Sequence, residues 1–359
     1  MSCYVELKNL CNKGTSSIMQ KDLEGIEGEY PIFGASGYIK NIDYYHQERE
    51  YIAVVKDGAG VGRVYLLPEN SSVIGTLQYI IPNEDVDIKY LYYALTYANL
   101  SKYYTGATIP HIYFKDYCRE KICFPDLNQQ RIVAQTLGYI DSILEKRKSQ
   151  LVKLGELLQS QFIEMFGEMD LSRKKKEWTP ISCIGTVIGG STPRTNDDKC
   201  WGGDYRWITP AELKQDSGYI YDSVRKITQF GIDSCSLQKI PPNTVLLTSR
   251  APIGKLAIAG NDFYCNQGFK NIICKEEIHP RYLYTLLLHN VNYLNSLGRG
   301  ATFKEISKEI VENIKIPLPP IELQNKFADF VRQVDKSKYR VYNSRKIINN
   351  LIEGIIHLQ

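Results

Sequence analysis

Two stretches of the chain place apolar residues in alternating steps of four and three. The first runs Val133, Leu137, Ile140, Leu144, Leu151, Leu154 and Leu158, with Arg147 occupying one step. The second runs Phe327, Val331, Val334, Val341, Ile348 and Ile352, with Lys338 and Arg345 interrupting it, and every seam position lies 194 residues beyond its counterpart in the first. A four-three seam is narrower than the apolar face of an ordinary globular helix and is the repeat of a coiled coil. Charged residues within such a seam fix register or partner at some cost in stability. Prolines at 125, 317, 319 and 320 stand just ahead of the two stretches, where proline favours a helix start. Two long amphipathic helices are therefore expected, one central and one C-terminal.

The segments between follow a different rhythm. "YIAVVKD", "RVYLLP" and "TLQYIIP" are β-branched and aromatic runs bounded by Gly, Pro and Asn, and so are "TVLLTSR", "KLAIAG" and "NIICKE" further on. Such runs predict short strands. A helix is expected after each set, around Ile88 to Tyr104 and again around Pro280 to Leu297, followed by a glycine-bounded turn. These likenesses form one internal repeat. "TGATIPHI" (Thr105 to Ile112) falls on "RGATFKEI" (Arg299 to Ile306) at an offset of 194, as do Pro125 on Pro319, Gln130 on Gln324 and Asp141 on Asp335. Upstream the offset is 192, where "KYLYYAL" (Lys89 to Leu95) falls on "RYLYTLL" (Arg281 to Leu287). Register kept to within two residues over more than a hundred positions marks a tandem duplication of one module.

The chain has 359 residues, 43% hydrophobic and 23% charged, which fits two or three globular domains. No apolar run reaches the roughly 18–20 residues that span a bilayer, and "MSCYVELKNLCNKG" lacks the order of a signal peptide, so a cytoplasmic protein is expected. Nine scattered cysteines form no C-x-x-C pair and five distant histidines form no H-E-x-x-H, so neither a disulfide framework nor a metal site is expected. There is no phosphate-cradling P-loop and no nucleophile elbow. "DGAGVG" (Asp57 to Gly62) has the glycines of a dinucleotide loop, but strand-like "RVYLL" follows where a helix should begin, so a strand-to-strand turn is expected. No "NPPY" or "DPPY" of an amino-methyltransferase occurs. The residues describe a binder and not a catalyst. A net charge of +4 permits a polyanion partner without demanding one, and 26 tyrosines suit wet interfaces.

Several motifs together resemble the conserved regions of the DNA-specificity (S) subunits of type I restriction–modification systems. These are the P-x-L-x-x-Q opening of the central helix, its end at "LLQSQFIEMFGE" (Leu157 to Glu168), "GEYPIFGASGYI" (Gly28 to Ile39), "DGAGVGRVYLLPENSSVIGTLQYI" (Asp57 to Ile80), "GGSTPRT" (Gly189 to Thr195) and "NQGFKNI" (Asn266 to Ile272). The resemblance covers nearly the whole chain. It implies an α+β fold of two tandem mixed α/β target-recognition domains, each followed by a long helix, the two helices pairing as an antiparallel coiled coil. The domains expected are residues 1–123 and 169–317, with spacer helices over 124–168 and 318–359. The resemblance further implies a non-catalytic subunit. Each domain reads one half of a split double-stranded DNA site and the chain recruits two methyltransferase subunits. In the full restriction complex motor–nuclease subunits join them. S-adenosylmethionine, ATP and Mg belong to those partners, and no cofactor is expected on this chain. No membrane association is implied.

Base edges are read by Arg, Lys, Asn, Gln and Ser/Thr on loops, and phosphates are met by Lys, Arg and backbone N–H groups near glycine. In the first domain Ser36, Lys56, Arg63 and His111 fit these needs. In the second, Thr192, Arg194, Thr195, Arg250, Lys255, Lys270 and Arg299 do. The basic run Arg173 to Lys176 reads as a solvated linker. The competing reading of the repeat is a tandem protein-interaction scaffold without DNA specificity.

Overall fold

A computed structural model of the chain describes residues 4–106, 110–173, 175–214, 216–300 and 304–357. It divides into two compact units, one of residues 1–150 with 341–359 and one of residues 151–340. Among the described residues no helix is long and apolar enough to cross a membrane.

The first unit opens with strands β1 (Tyr4–Glu6), β2 (Cys11–Thr15), β3 (Tyr30–Gly34), β4 (Gly37–Ile42), β5 (Tyr51–Val55), β6 (Val64–Leu67), β7 (Ser72–Val73) and β8 (Leu77–Pro82). Helices α1 (Ile88–Tyr97) and α2 (Phe114–Tyr117), strand β9 (Lys121–Cys123) and the long helix α3 (Leu127–Phe166) follow. An antiparallel sheet in the order β2-β8-β5-β6 carries the core. All five residues of β5 are buried, which is why "YIAVV" is an unbroken apolar run. Its Ile52 and Val54 meet Leu91 and Leu95 of α1 on one face. Tyr51, Ala53 and Val55 meet Ile32, Ile42 and Val73 of the small β4-β3-β7 sheet on the other. Pairing of β1 with β9, Tyr4 opposite Cys123, brings the first strand back to the foot of α3.

The second unit repeats this plan with additions. Its elements are β10 (Thr179–Pro180), α4 (Ile181–Ile184), β11 (Gly185–Ile188), β12 (Trp201–Ile208), β13 (Asp216–Ile220), β14 (Arg225–Ile227), α5 (Gln229–Ser234), β15 (Val245–Leu247), β16 (Leu256–Ala259), β17 (Tyr264–Cys265) and β18 (Asn271–Cys274). Then come α6 (Pro280–His289), α7 (Val291–Ser296), α8 (Lys308–Glu312), β19 (Lys315–Ile316) and the long helix α9 (Ile321–His357). The sheet order β11-β18-β15-β16 reproduces that of the first unit, and β13 extends it by one parallel edge strand. β10 pairs with β19 as β1 does with β9.

The helices expected over 88–104 and 280–297 are each broken near the middle. Asn99 adopts a left-handed conformation (φ 51°) after α1, and a 3-10 turn over Leu100–Tyr103 replaces further helix. Asparagine accepts that conformation more readily than other side chains and so stops a helix there. After α6 the break falls at Asn290, whose side chain is held elsewhere: Oδ1 accepts from Leu171 N at 2.8 Å and Nδ2 donates to Met169 O at 2.8 Å.

Each long helix is tied to its unit by one buried glutamine. Gln130 Oε1 accepts from Asp87 N at 2.8 Å, while Nε2 donates to Pro125 O at 2.9 Å and Asp85 O at 3.3 Å. Gln324 does the same one repeat later, accepting from His279 N at 2.8 Å and donating to Pro319 O at 2.8 Å and Glu277 O at 3.1 Å. Both side chains are 0% exposed. The residues they hold are N-caps: Asp87 accepts from Tyr90 N at 2.9 Å, and His279 Nδ1 accepts from Arg281 N at 3.0 Å. That nitrogen must carry no proton to accept, and burial, helped by Arg281 and Arg332, holds His279 below the usual imidazole range.

The seam residues face inward on both helices. Along α3, Leu137 is buried and Val133, Ile140, Leu144, Leu151, Leu154 and Leu158 are half-buried. Along α9, Phe327, Val331, Val334 and Val341 are buried and Ile348 is half-buried; the Arg345 and Ile352 side chains lie outside those described. Within the first unit, Val133, Leu137, Ile140 and Leu144 cluster with Ile348. Within the second, the Phe162 ring lies 5.3 Å from Phe327 and 5.8 Å from Tyr282. The start of α3 thus meets the end of α9, and the end of α3 meets the start of α9, so the pairing is antiparallel.

Gln324→Ala should destabilise the second unit by about 2–4 kcal/mol, because it strands one amide and two carbonyls that are costly to bury unpaired. The exposed Gln129→Ala should stay within about 0.5 kcal/mol of the parent. All three tryptophans (Trp178, Trp201, Trp207) lie in the second unit, so their fluorescence during urea unfolding reports it directly. Equal midpoints for the two variants would refute the anchoring role of the glutamine.

Candidate nucleic-acid interface

The loop joining β5 to β6 and the turn before α2 form one edge of the first unit. Gly62, at φ 85°, turns the loop back, and a Cβ there would sit 2.4 Å from Ser101 N, so only glycine lets the loop lie against the 3-10 turn over Leu100–Tyr103. Ile112 N donates to Lys56 O at 2.9 Å, Gly58 N donates to Pro110 O at 3.0 Å, and Asp57 bridges to His111. Thr105 and His111 exchange two backbone bonds of 2.9 Å across the base of the turn. The tip of the β3–β4 hairpin joins the same edge, since Arg63 Nη1 donates to Ala35 O at 3.2 Å and to Tyr65 Oη at 3.1 Å. Ser36 is exposed at that tip, next to Ala35. Lys56 is ion-paired with Asp57 at 3.2 Å. Ser36, Lys56, Arg63 and His111 therefore share one edge.

The second unit builds the corresponding edge on the same backbone bonds. Ile306 N donates to Ser249 O at 2.9 Å, and Arg299 and Glu305 exchange two bonds of 3.0 Å. Arg250 bridges to Glu305 where Asp57 bridges to His111. Four positions thus coincide in backbone role and differ in side chain: Lys56 with Ser249, Asp57 with Arg250, Thr105 with Arg299, and His111 with Glu305.

Lys255, Thr192 and Lys270 are tied to this edge as well, while Arg194 and Thr195 sit on a loop held to β12. Lys255 N donates to Thr248 Oγ1 at 2.9 Å and its Nζ donates to Pro210 O at 3.3 Å. Thr192 Oγ1 donates to Gln267 Oε1 at 2.6 Å, and the neighbouring Gly268 O accepts from Ser249 N at 2.8 Å. The loop carrying Arg194 and Thr195, both exposed, is fastened by Trp201 Nε1 donating to Arg194 O at 3.0 Å and Trp207 Nε1 donating to Ser191 O at 3.2 Å. Lys270 Nζ reaches Ser249 Oγ at 3.4 Å and Glu305 Oε1 at 3.2 Å.

Glu305 is the residue of this edge that sequence reasoning passed over; it pairs with both Arg250 and Lys270. Its only signal was the place where "RGATFKEI" carries Glu over His of "TGATIPHI". Partial burial would raise its carboxyl, but hydrogen bonds from Lys270 and Arg250 outweigh that and hold it below the ordinary carboxylate range. Also unforeseen was the stack of Arg225 on Trp201, 3.6 Å from the ring centre, which stiffens the small β14-β12-β17 sheet. A second basic region occupies the other end of β15 in this unit, where a cavity of 810 Å³ is lined by Arg281, Arg332, Lys336 and Arg340. There Arg281 pairs with Asp335 at 2.9 Å and stacks 4.7 Å above Tyr219.

What the two edges can do chemically is bind an anionic, hydrogen-bonding surface. They offer hydroxyls, an imidazole, guanidinium and ammonium groups on loops held by rigid strands. Among the described residues no three His, Cys, Asp or Glu side chains gather as a metal site requires.

Known proteins share both the sequence and the architecture. The family model for the type I restriction modification DNA specificity domain matches residues 3–154 and again residues 175–350. The MjaIX specificity subunit of Methanocaldococcus jannaschii is 40% identical over 196 residues, which span 53% of this chain and 44% of that relative, under half its length. The MjaVIII specificity subunit of the same organism is 24% identical over 387 aligned positions, 95% of this chain and 88% of that one. In fold, the crystal structure of the S subunit from M. genitalium superposes with a TM-score of 0.63 at 16% identity, covering 99% of this chain and 95% of the other. With two tandem matches over most of its length, the chain belongs to the type I restriction–modification DNA specificity family.

Proposed function

We propose that each unit reads one half of a split duplex DNA site, and that the paired long helices set the number of unread base pairs between the halves. The carrying observation is the two edges, whose backbone bonds coincide while Lys56, Asp57, Thr105 and His111 give way to Ser249, Arg250, Arg299 and Glu305. One frame with two sets of loop chemistry suits two readers of different sequence. Phosphates would be met by the exposed cations and backbone amides, and base edges by groups held in fixed orientation. The chain performs no chemistry of its own in this reading. Methylation falls to two recruited methyltransferase subunits carrying S-adenosylmethionine, and cleavage to motor–nuclease subunits using ATP and Mg.

The purified chain alone should transfer no methyl group to DNA when given S-adenosylmethionine; methylation without a partner would refute the non-catalytic assignment.

Replacing Met1 to Cys123 by the corresponding domain of another family member should change one half of the methylated motif and leave the other half and the spacing intact. The methylome of cells carrying the chimaera with its methyltransferase supplies the readout. If both halves changed together, independent reading would be wrong.

Adding one heptad to each long helix, near Lys148 and near Tyr342, keeps the seams matched and adds about 10 Å at ~1.5 Å per residue. At ~3.4 Å per base pair the spacer should lengthen by up to about three base pairs, with both half-sites unchanged. An active double-insertion variant with an unaltered spacer would show that other contacts set the distance.

A further inference from the structure

Arg250 differs from the other cations of the second unit's edge in how its guanidinium is held. Its Nε donates to Glu305 Oε2 at 3.0 Å, and among the described residues its two terminal nitrogens make no hydrogen bond. The other carboxylate oxygen of Glu305 accepts from Lys270 Nζ at 3.2 Å, and the Lys270 side chain is only 15% exposed. The backbone of Glu305 is itself fixed by bridges to Arg250 and to Arg299. With both oxygens engaged and its backbone clamped, Glu305 cannot follow the arginine; the arginine must follow it.

This arrangement gives up charge and gains orientation. One carboxylate offsets two cations, so the trio carries a net charge of one where two free cations would carry two. A phosphate contact draws on charge and tolerates a loosely placed partner. A base contact needs a donor fork aimed at a fixed angle, and a guanidinium fixed through Nε presents its two terminal nitrogens as such a fork. The acceptor pair that fits it in the major groove is O6 and N7 of guanine. Arg250 is 48% exposed, so the fork is accessible to a duplex.

We propose that Arg250 reads a guanine in the half-site of the second unit, and that Glu305 is the positioning residue that aims it. The inference rests on the reading that this unit recognises DNA. At the matching positions of the first unit stand Asp57 and His111, so that unit does not read guanine by this device.

The test uses the full chain assembled with its methyltransferase partner. The wild-type methylome defines the motif, and competition binding with duplexes altered one base pair at a time measures discrimination. Arg250→Ala should lose discrimination at a single G·C pair of the second half-site, on the order of 5- to 150-fold, with the first half-site untouched. Arg250→Lys should lose most of it as well while keeping the salt dependence of binding, since the charge is retained and the fork is not. Glu305→Gln should relax the same base pair alone and strengthen binding to non-cognate DNA at low salt. Even weakening by Arg250→Ala across all sequences, with a salt slope lower by about one, would make Arg250 a phosphate contact and overturn the proposal. So would an unchanged profile in Arg250→Lys, which guards against a misfolded Glu305→Gln. A wild-type complex with no split motif would overturn the DNA-reading assignment along with this one.

Discussion

The architecture depends on a hydrogen-bond knot around one buried amide, made twice. Gln130 and Gln324 sit in the first turn and a half of the long helices, and each takes three backbone partners, two from the segment just before α1 or α6 and one from the proline segment beside it. A fully buried primary amide with these partners has no cheaper arrangement, because every alternative strands polar groups away from water. The bond therefore fixes where each long helix leaves its sheet. Tyr90 and Tyr282 strengthen the same corner, donating to Cys123 O at 2.6 Å and to Pro317 O at 3.0 Å. The first turns of the long helices are thus held to the units from which they emerge.

A fixed frame leaves the far edges free to vary. In both units the loop after the central strand is tied by the same backbone bonds to a turn that opens on a positive-φ glycine, Gly106 or Gly300. Backbone bonds do not depend on side-chain identity, so the side chains at these matched positions are free to differ. Asp57 and His111 can occupy one copy and Arg250 and Glu305 the other without disturbing either sheet. That separation of frame from chemistry lets one module carry two sets of loop side chains. It also explains why the second unit tolerates the extra edge strand β13 between β11 and β15.

Sequence alone determined the features that follow from local periodicity. The four-three seams appear as α3 and α9, and the apolar runs bounded by glycine and proline appear as β5, β6, β8, β15, β16 and β18. The offsets of 192 and 194 are matched by the equivalent hydrogen bonds of the two glutamines. Periodicity is written in consecutive residues and survives any tertiary arrangement consistent with burial of one face. The candidate cations were legible only as residue types on loops, because their grouping depends on contacts between segments far apart in sequence.

Tertiary structure alone decided the rest. Nothing near Asn290 announces that its side chain caps the segment at Met169 and Leu171, more than a hundred residues earlier. Nothing in "RGATFKEI" says that its glutamate will offset two cations from different loops, since Arg250 lies 55 residues away and Lys270 lies 35. An ion pair of this kind exists only once the sheet has brought its loops together, and its effect on orientation comes from backbone bridges that no sequence pattern encodes. The chain's elements and their repetition are thus properties of its sequence, while the direction in which Arg250 points is a property of its fold.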